Sequence, residues 1–569
     1  MAEAALVAVV TFGLGRFMHV SPQLVWQAPL SFALVFACAA ALVMPPWPLL
    51  DSARRLRIVA FVCAFVGCAS ILLMASQLSR MAVGILAAGI AVQVSYFTVK
   101  LERHVRRVVR ATIWPAVLVI TVLGLGLNGT WWLAERRQTQ AVAANGPAPN
   151  VLLIIWDTVR AASLSLYGYE RETTPHLDRL AAGSIVFVNA FSPTPWTLPS
   201  HASMFTGLDP DRLSADWDTP LNGDAATLAE VLSRHGYRSG GFVANTYFAG
   251  RESGLSRGFA HYEDYPILSV QQLVRSTTLG RWIIRRPRLV NFFDLDPSME
   301  LKRASVITDD ALEWISDDRD RPFFAFLNYL DAHSPYSPPA QYASKFGTLS
   351  REQKLNFGNG RTLSATELQA EIDAYDATIA YLDDELQRLL DALDSAGVLD
   401  NTIIVVTSDH GEEFGEHDVY LHGNSLYDRS LHVPLVIRTP SSSGGVRNDA
   451  WVSLRDLPST LLALAGVKEG RLPGNPLTWA REPSDSTRLA VDTILATVSR
   501  RPGVLDRYPA AKGRMVSVMT DPWKYIRGGD GAEELYDLRA DRDERRNLVT
   551  TAPAAVLDRV RARGARTRH

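Results

Sequence analysis

Three apolar runs end on residues able to do chemistry. Val151 to Trp156 is followed by Asp157, the run ending at Leu330 by Asp331 and His333, and the run ending at Thr407 by Ser408, Asp409 and His410. A fourth segment, Pro195-Trp-Thr-Leu-Pro-Ser-His-Ala-Ser203, sets the hydroxyl of Thr197 ahead of a proline and a helix-like stretch. At a helix N-terminus the free N–H groups and the dipole favour an anion. Carboxylates, imidazoles and one hydroxyl make a mixed oxygen and nitrogen donor set suited to a divalent metal. A threonine hydroxyl is a poor nucleophile at neutral pH, and a divalent cation is one means of activating it. An imidazole such as His333 or His422 suits proton donation to a leaving oxygen near pH 7. Each residue taken singly has a plainer role: Asp157 and Asp409 as turn formers, Thr197 as a helix cap, His333 as a brace for the loop with Pro335 and Tyr336.

Those residues need a scaffold that gathers strand ends. The runs 151–156, 185–188, 241–244, 322–330, 402–407 and 433–437 read as buried strands. Between them, helical patterns cover 177–182, 225–235, 301–315, 367–393 and 454–464. Alternation of this kind predicts an α/β sheet covered on both faces, with ligands gathering beyond the carboxyl ends of the strands. Glu412, Glu413 and Glu416 read as a solvated acidic loop, and Asp376, Asp383 and Asp384 as the water-facing side of a helix. His201 and His417 read as supporting or surface residues. Asp331, His417 and His422 are candidates for a second ion.

The charge is unevenly spread along the 569 residues. Residues 1–140 carry 12 Lys/Arg against 4 Asp/Glu, and the rest carries 46 against 56. A mildly acidic main part with no basic stripe argues against nucleic acid as a partner. All three cysteines, Cys38, Cys63 and Cys68, lie in the first part, which removes disulfides and thiolate metal sites from the remainder. Apolar runs over 30–49, 58–75, 81–99 and 113–133 each approach the ~20 residues that cross a hydrocarbon core. Ala4 to Val20, interrupted by Arg16, is a weaker fifth. The basic loops, with Arg54, Arg55 and Arg57 and with Lys100, Arg103, Arg106, Arg107 and Arg110, alternate with poorer ones, which predicts that the chain after Leu133 is extracytoplasmic. The reading is therefore a transmembrane domain of four to five helices over 1–137, a linker over 138–149 and a catalytic domain over 150–569 that includes a C-terminal subdomain. An insertion from Arg275 to Arg288, with Arg281, Trp282, Arg285, Arg286 and Arg288, has the composition of a segment resting on lipid headgroups, or equally of a charged lid or helical hairpin without lipid contact.

Several stretches, in order, resemble the sulfatase-like branch of the alkaline-phosphatase superfamily: NVLLIIWDTVRAASLSLYGYERETTPHLDRLA, TPWTLPSHASMFTG, FLNYLDAHSPYSPP, YDATIAYLDDEL, VVTSDHGEEFGEH, VYLHGNSLYD, VPLVI and ELYDLRADRDERRNL. The resemblance implies an alkaline-phosphatase/sulfatase-like central sheet covered by helices on both faces, behind an all-α transmembrane domain. Sulfatases of this type carry Cys or Ser, then x-Pro-Ser-Arg, and oxidise the first residue to formylglycine. Here the string is Thr197-Leu198-Pro199-Ser200-His201, and threonine cannot become formylglycine. Threonine is similar to what membrane-bound phosphoethanolamine transferases and lipoteichoic acid synthases use, and these also place transmembrane helices ahead of an extracytoplasmic catalytic domain.

By similarity to them, Asp157, Thr197, Asp409 and His410 would bind one divalent metal, zinc or manganese rather than calcium or magnesium, with a second ion allowed. His333 and His422 would flank the reacting group. The His-Gly pair twelve residues beyond His410 resembles the transferases, whereas the ending ELYDLRADRDERRNL resembles soluble sulfatases. The expectation is a membrane-anchored enzyme moving a phosphoryl-linked group through a covalent Thr197 intermediate on envelope lipids or glycans. A sulfuric ester hydrolase working without formylglycine is the alternative in the same fold, and a catalytically silent binding module the alternative in another class.

Overall fold

The computed structural model describes residues 23–43, 51–74, 77–139, 148–264, 277–284, 302–318, 321–347, 363–442, 444–477, 493–501 and 503–565. The chain forms two compact units. One contains the helices Leu24–Val43, Ser52–Leu72, Arg80–Lys100 and Glu102–Thr139. The last three are long and apolar enough to cross a membrane. Their apolar side chains point outward, with Met81 78% and Trp114 75% exposed, as in helices that face hydrocarbon. Polar groups between helices are paired: Gln23 Nε2 donates to Asn128 Oδ1 at 2.8 Å. The Ala4–Val20 candidate and most of the predicted linker lie outside the described residues, although Gln138 and Thr139 still belong to the last helix. Of the Arg275–Arg288 insertion, Thr278–Ile284 is a helix packed against Ser52–Leu72, and the Leu279 N–H donates to Ser70 Oγ at 3.1 Å. Arg285, Arg286, Arg288 and the side chain of Arg281 lie outside the described residues.

The second unit is built on a mixed sheet. Its strands are β1 Asn150–Trp156, β2 Ile185–Phe191, β3 Arg238–Val243, β4 His261–Glu263, β5 Phe323–Tyr329 and β6 Thr402–Thr407. A small hairpin, β7 Glu413–Phe414 and β8 Tyr420–Leu421, interrupts the series before β9 His432–Val433, β10 Leu435–Arg438 and β11 Val446–Ser453. The order is β11-β2-β10-β6-β1-β5-β3-β4, with β9 beside β2. β1 lies between β5 and β6, parallel to both, as expected of the fully apolar central strand. β10 runs antiparallel to β6 and β2. Helices Pro175–Ala181, Ala304–Asp317 and Ala365–Ser395 share a core with β1 and β5, centred on Trp156, Leu327, Tyr329 and Leu386.

Behind the mixed sheet stands a four-stranded antiparallel sheet, β12 Ile494–Val498, β13 Met515–Thr520, β14 Trp523–Arg527 and β15 Glu533–Asp537. One face packs on the helix Ala554–Ala565 and the other on Phe191, Tyr427 and Trp451. The joint holds a buried ion pair, Lys524 Nζ to Glu544 Oε1 at 2.8 Å, and Glu544 accepts from the Asp428 N–H at 2.6 Å.

Two expectations about acidic residues are corrected. Asp376 and Asp383 are fully buried on Ala365–Ser395. Asp376 accepts from Tyr169 Oη and Arg171, and Asp383 from the backbone N–H groups of His176 and Leu177, so partners from the 169–171 loop and the first turn of the helix Pro175–Ala181 replace water. Glu412 and Glu413 are also fully buried, Glu413 accepting from Ser425 Oγ at 2.9 Å. Burial lifts the Asp376 and Asp383 carboxyls to about 6 and the Glu413 carboxyl to about 8. Glu416 pairs with Arg160 at 2.7 Å; burial pushes its carboxyl up, but the guanidinium and the backbone N–H groups of Phe414 and Glu416 together hold it below its ordinary range.

Candidate active site

The register Trp156↔Tyr329 brings the ends of β1 and β5 level, and β6 ends on the other side of β1. Asp157 leaves β1 with its N–H on the Tyr329 carbonyl at 2.9 Å. The next residue, Thr158, has φ +64°, a left-handed backbone that a β-branched residue adopts only when its surroundings impose it. Here its hydroxyl donates to the Ala332 carbonyl at 2.9 Å and its N–H to Asp409 Oδ1 at 3.2 Å, so the turn couples all three strand ends.

The helix Thr197–Thr206 faces this junction, and its ten residues are all buried. It begins on Thr197, with Trp196 as an extended cap, and stops at Gly207 in the left-handed conformation. Thr197 Oγ1 lies 3.3 Å from His410 Nε2, and His410 Nε2 lies 3.4 Å from Asp409 Oδ2. Ligand atoms of Asp157, Asp409 and His410 all fall within 4.8 Å of one another.

Hydrogen bonds orient each donor. Asp157 Oδ2 accepts from Asn245 Nδ2 at 2.8 Å and from Asn328 Nδ2 at 3.3 Å, whereas its Oδ1 is buried with no partner. Asp409 Oδ1 accepts from the N–H groups of Thr158 and His410, whereas its Oδ2 is likewise buried without a hydrogen bond. His410 Nδ1 donates to the Gly411 carbonyl at 3.0 Å, which fixes the tautomer and leaves Nε2 a lone pair. Burial drives the His410 pKa down to about 4, so the ring is neutral at pH 7 and fit to ligate. Burial raises both carboxyls, Asp157 with the added repulsion of Asp409, and Asp409 to about 7. Two orphaned carboxylate oxygens and a neutral imidazole nitrogen beside a hydroxyl fit a divalent cation, which supplies the missing positive charge.

Beyond this cluster stand two imidazoles. The ring of His422 lies 4.5 Å from that of His410 and 5.0 Å from that of His333, centre to centre. His333 donates from Nδ1 to the Ser334 carbonyl at 2.6 Å, and its Nε2 remains. His422 Nδ1 meets Glu412 Oε1 at 3.0 Å, while Tyr336 Oη donates to Glu412 Oε2 at 2.9 Å. Burial, with His410, His333 and Arg501 nearby, holds the His422 pKa well below its ordinary value. His201, on the same helix as Thr197, is buried and donates from Nδ1 to the Thr197 carbonyl at 2.8 Å.

The residues read from strand ends are thus partly gathered. Asp157, Thr197, Asp409 and His410 form one cluster, flanked by His333 and His422. Asp331 turns away, accepting from Arg303 and from the Ala304 N–H. His417 is exposed, stacked on Tyr427 at 3.9 Å between centroids, and does not join a second metal set with Asp331 and His422. Asn245, Asn328 and Arg160 are not legible as site residues in the sequence, and Glu412 reads there only as solvated loop. Arg160 donates to the Glu412 carbonyl at 3.2 Å as well as pairing with Glu416. For Asn328 a signal existed: it is a single polar residue inside the apolar strand Phe323–Tyr329.

Comparison with known proteins gives concordant matches. A family model described as Sulfatase matches residues 149–467. Arylsulfatase K of Bos taurus is 26% identical over 484 residues, covering 78% of this chain and 85% of the relative. Arylsulfatase K of Mus musculus is 28% identical over 480 residues, covering 77% and 82%. Among solved structures, the phosphonate monoester hydrolase of Agrobacterium radiobacter superposes with TM-score 0.54 at 23% identity, covering 74% of this chain and 95% of that one. A protein solved with its substrate D-glucosamine-2-N,6-O-disulfate superposes with TM-score 0.56 at 20% identity, covering 74% and 97%. These structures share the fold of the second unit. With the family match spanning more than half of its length and reaching from β1 past β11, the chain belongs to the sulfatase family of the alkaline-phosphatase superfamily.

Proposed function

We propose that this sulfatase-like hydrolase is a multi-pass membrane protein with an extracytoplasmic catalytic domain over 150–569, moving a phosphoryl-linked group through a covalent intermediate on Thr197. The observation that carries the reading is the 3.3 Å approach of Thr197 Oγ1 to His410 Nε2, beside two buried carboxylates each with one unpartnered oxygen. Asp157, Asp409, His410 and Thr197 would hold a divalent cation, which when bound neutralises charge and lowers the pKa of a nearby hydroxyl. Thr197 gives up its hydroxyl proton, which His422 or His333 takes up, its Oγ1 attacks phosphorus, the bond to the leaving oxygen breaks, and the protonated imidazole passes that proton to the leaving oxygen. The free His422 is neutral, and an anionic ester raises its basicity on arrival. A second hydroxyl, from water or from an acceptor lipid or glycan, then attacks the phosphothreonine and releases Thr197. Positioning and electrostatics dominate phosphoryl transfer, so this set is sufficient in kind.

A second reading, hydrolysis of a sulfuric ester, is favoured by the relatives named Arylsulfatase K. A threonine sulfate lacks the exit route that a formylglycine hydrate provides, which is why phosphorus is preferred here. The discriminating experiment is turnover of bis(4-nitrophenyl) phosphate against 4-nitrophenyl sulfate by the full chain with zinc or manganese added. Faster turnover of the diester is expected, and turnover of the sulfate alone would replace the first reading by the second.

A further inference from the structure

The rim of the site carries a cation that no carboxylate of the described residues meets in an ion pair. Arg501 follows β12, and its guanidinium lies over two indoles, 4.9 Å from the Trp196 ring and 5.0 Å from the Trp217 ring. Trp196 directly precedes Thr197, and its ring lies 5.3 Å from that of His422. The mounting is rigid. Trp217 Nε1 donates to the Ser499 carbonyl at 3.2 Å, and Arg501 Nη1 donates to the His422 carbonyl at 2.6 Å and to Asn424 Oδ1 at 2.9 Å. Gly423 makes this possible, because at φ +72° a Cβ there would stand 2.7 Å from Trp217 and 2.9 Å from Trp196.

Nε and Nη2 of Arg501 have no hydrogen-bond partner among the described residues, and no carboxylate among them pairs with it. Burial lowers its pKa to about 10 against the opposing attraction of Glu412, so the guanidinium stays charged at pH 7, and its planar fork matches a carboxylate or sulfate. The indoles supply an attraction that leaves these two donors available to a ligand. On the reading that the site opens an ester at Thr197, we propose that Arg501 is an oxyanion subsite, selecting substrates that carry a second anionic group, carboxylate or sulfate, beside the ester to be broken.

The test compares 4-nitrophenyl phosphate with 2-carboxy-4-nitrophenyl phosphate on the full chain and on Arg501→Gln and Arg501→Lys. The ratio of the two kcat/KM values is the readout, since differences in leaving-group acidity cancel between variants. A fall in that ratio of at least about tenfold in Arg501→Gln, partly restored in Arg501→Lys, is expected from loss of a charged hydrogen bond. An equal loss on both esters would show Arg501 only to brace the His422 loop and would overturn the proposal. Equilibrium binding of galacturonate, galactose 6-sulfate and galactose, read by quenching of Trp fluorescence with Trp217→Phe as control, tests the subsite without turnover. Tighter binding of either anionic sugar than of galactose, abolished in Arg501→Gln, is expected, and the stronger of the two names the anion. Equal binding of all three sugars, or a preference that survives in Arg501→Gln, would refute it. If neither ester is cleaved while the anion preference is present, the functional reading fails and the subsite stands.

Discussion

Replacing Asp409 by Asn isolates the charge that calls for a cation. The amide keeps an acceptor for the N–H groups of Thr158 and His410 but removes the carboxylate beside Asp157. Carrying the Asp409 carboxyl from its ordinary 3.8 to about 7 corresponds to about 4 kcal/mol, at about 1.4 kcal/mol per pH unit. Because the folded-state value lies above the unfolded one, the metal-free fold binds more protons than the unfolded chain between these two values. Its stability therefore falls as pH rises from about 4 to about 7 and is flat above. A bound cation offsets this loss, so stripping the metal with a chelator should lower Tm more at pH 8 than at pH 5. In a domain of this size a few kcal/mol correspond to several degrees, roughly. Asp409→Asn should show a smaller chelator effect at pH 8, a metal-free Tm above that of the wild type at that pH, and loss of turnover. Scanning calorimetry of the detergent-solubilised chain, with and without chelator at the two pH values, reads all three. A chelator-insensitive wild type at pH 8, or an Asp409→Asn variant that responds to chelator as the wild type does, would refute the reasoning.

Three other perturbations follow from the geometry. His422→Gln keeps a partner for Glu412 but has no proton to give, so kcat should fall by about 100-fold or more on an alkyl ester and much less on a nitrophenyl ester, whose leaving group needs no acid; parallel kinetics on the two esters check this. Gly207→Ala adds a Cβ 1.9 Å from the Pro473 carbonyl oxygen at φ +75°, which should cost on the order of 2 kcal/mol or more and loosen the helix that carries Thr197, seen as a lowered Tm. Lys524→Ala strands Glu544 in the joint between the two sheets and should destabilise by about 3–5 kcal/mol, whereas Lys524→Met with Glu544→Gln should recover much of that loss, as measured by thermal or denaturant unfolding.

The strands were readable because each is a continuous apolar run: Val151 to Trp156 and Thr402 to Thr407 fall within a residue of the observed β1 and β6. The same rule pointed to Asp157, Asp409 and His410, since parallel strands release their chemistry at carboxyl ends. What stayed hidden depends on partners far away in the chain. Asp376 looks like a water-facing helix residue until Tyr169 and Arg171 cover it, and Glu412 looks like loop until Tyr336 and His422 close over it. Arg501 is one arginine among many in the sequence, and only the fold sets it over two indoles some 300 residues upstream. The C-terminal sheet was anticipated as a subdomain without its topology, because β12 to β15 are short and hold buried polar residues such as Ser517 and Lys524 that break the alternation.

The most direct test of a covalent Thr197 route is mass spectrometry of the chain quenched in acid during turnover of bis(4-nitrophenyl) phosphate. The account predicts a phosphoryl-linked adduct on the peptide containing Thr197, dependent on added metal and missing from Thr197→Ala. An unmodified Thr197 together with full metal-dependent activity in Thr197→Ala would contradict it.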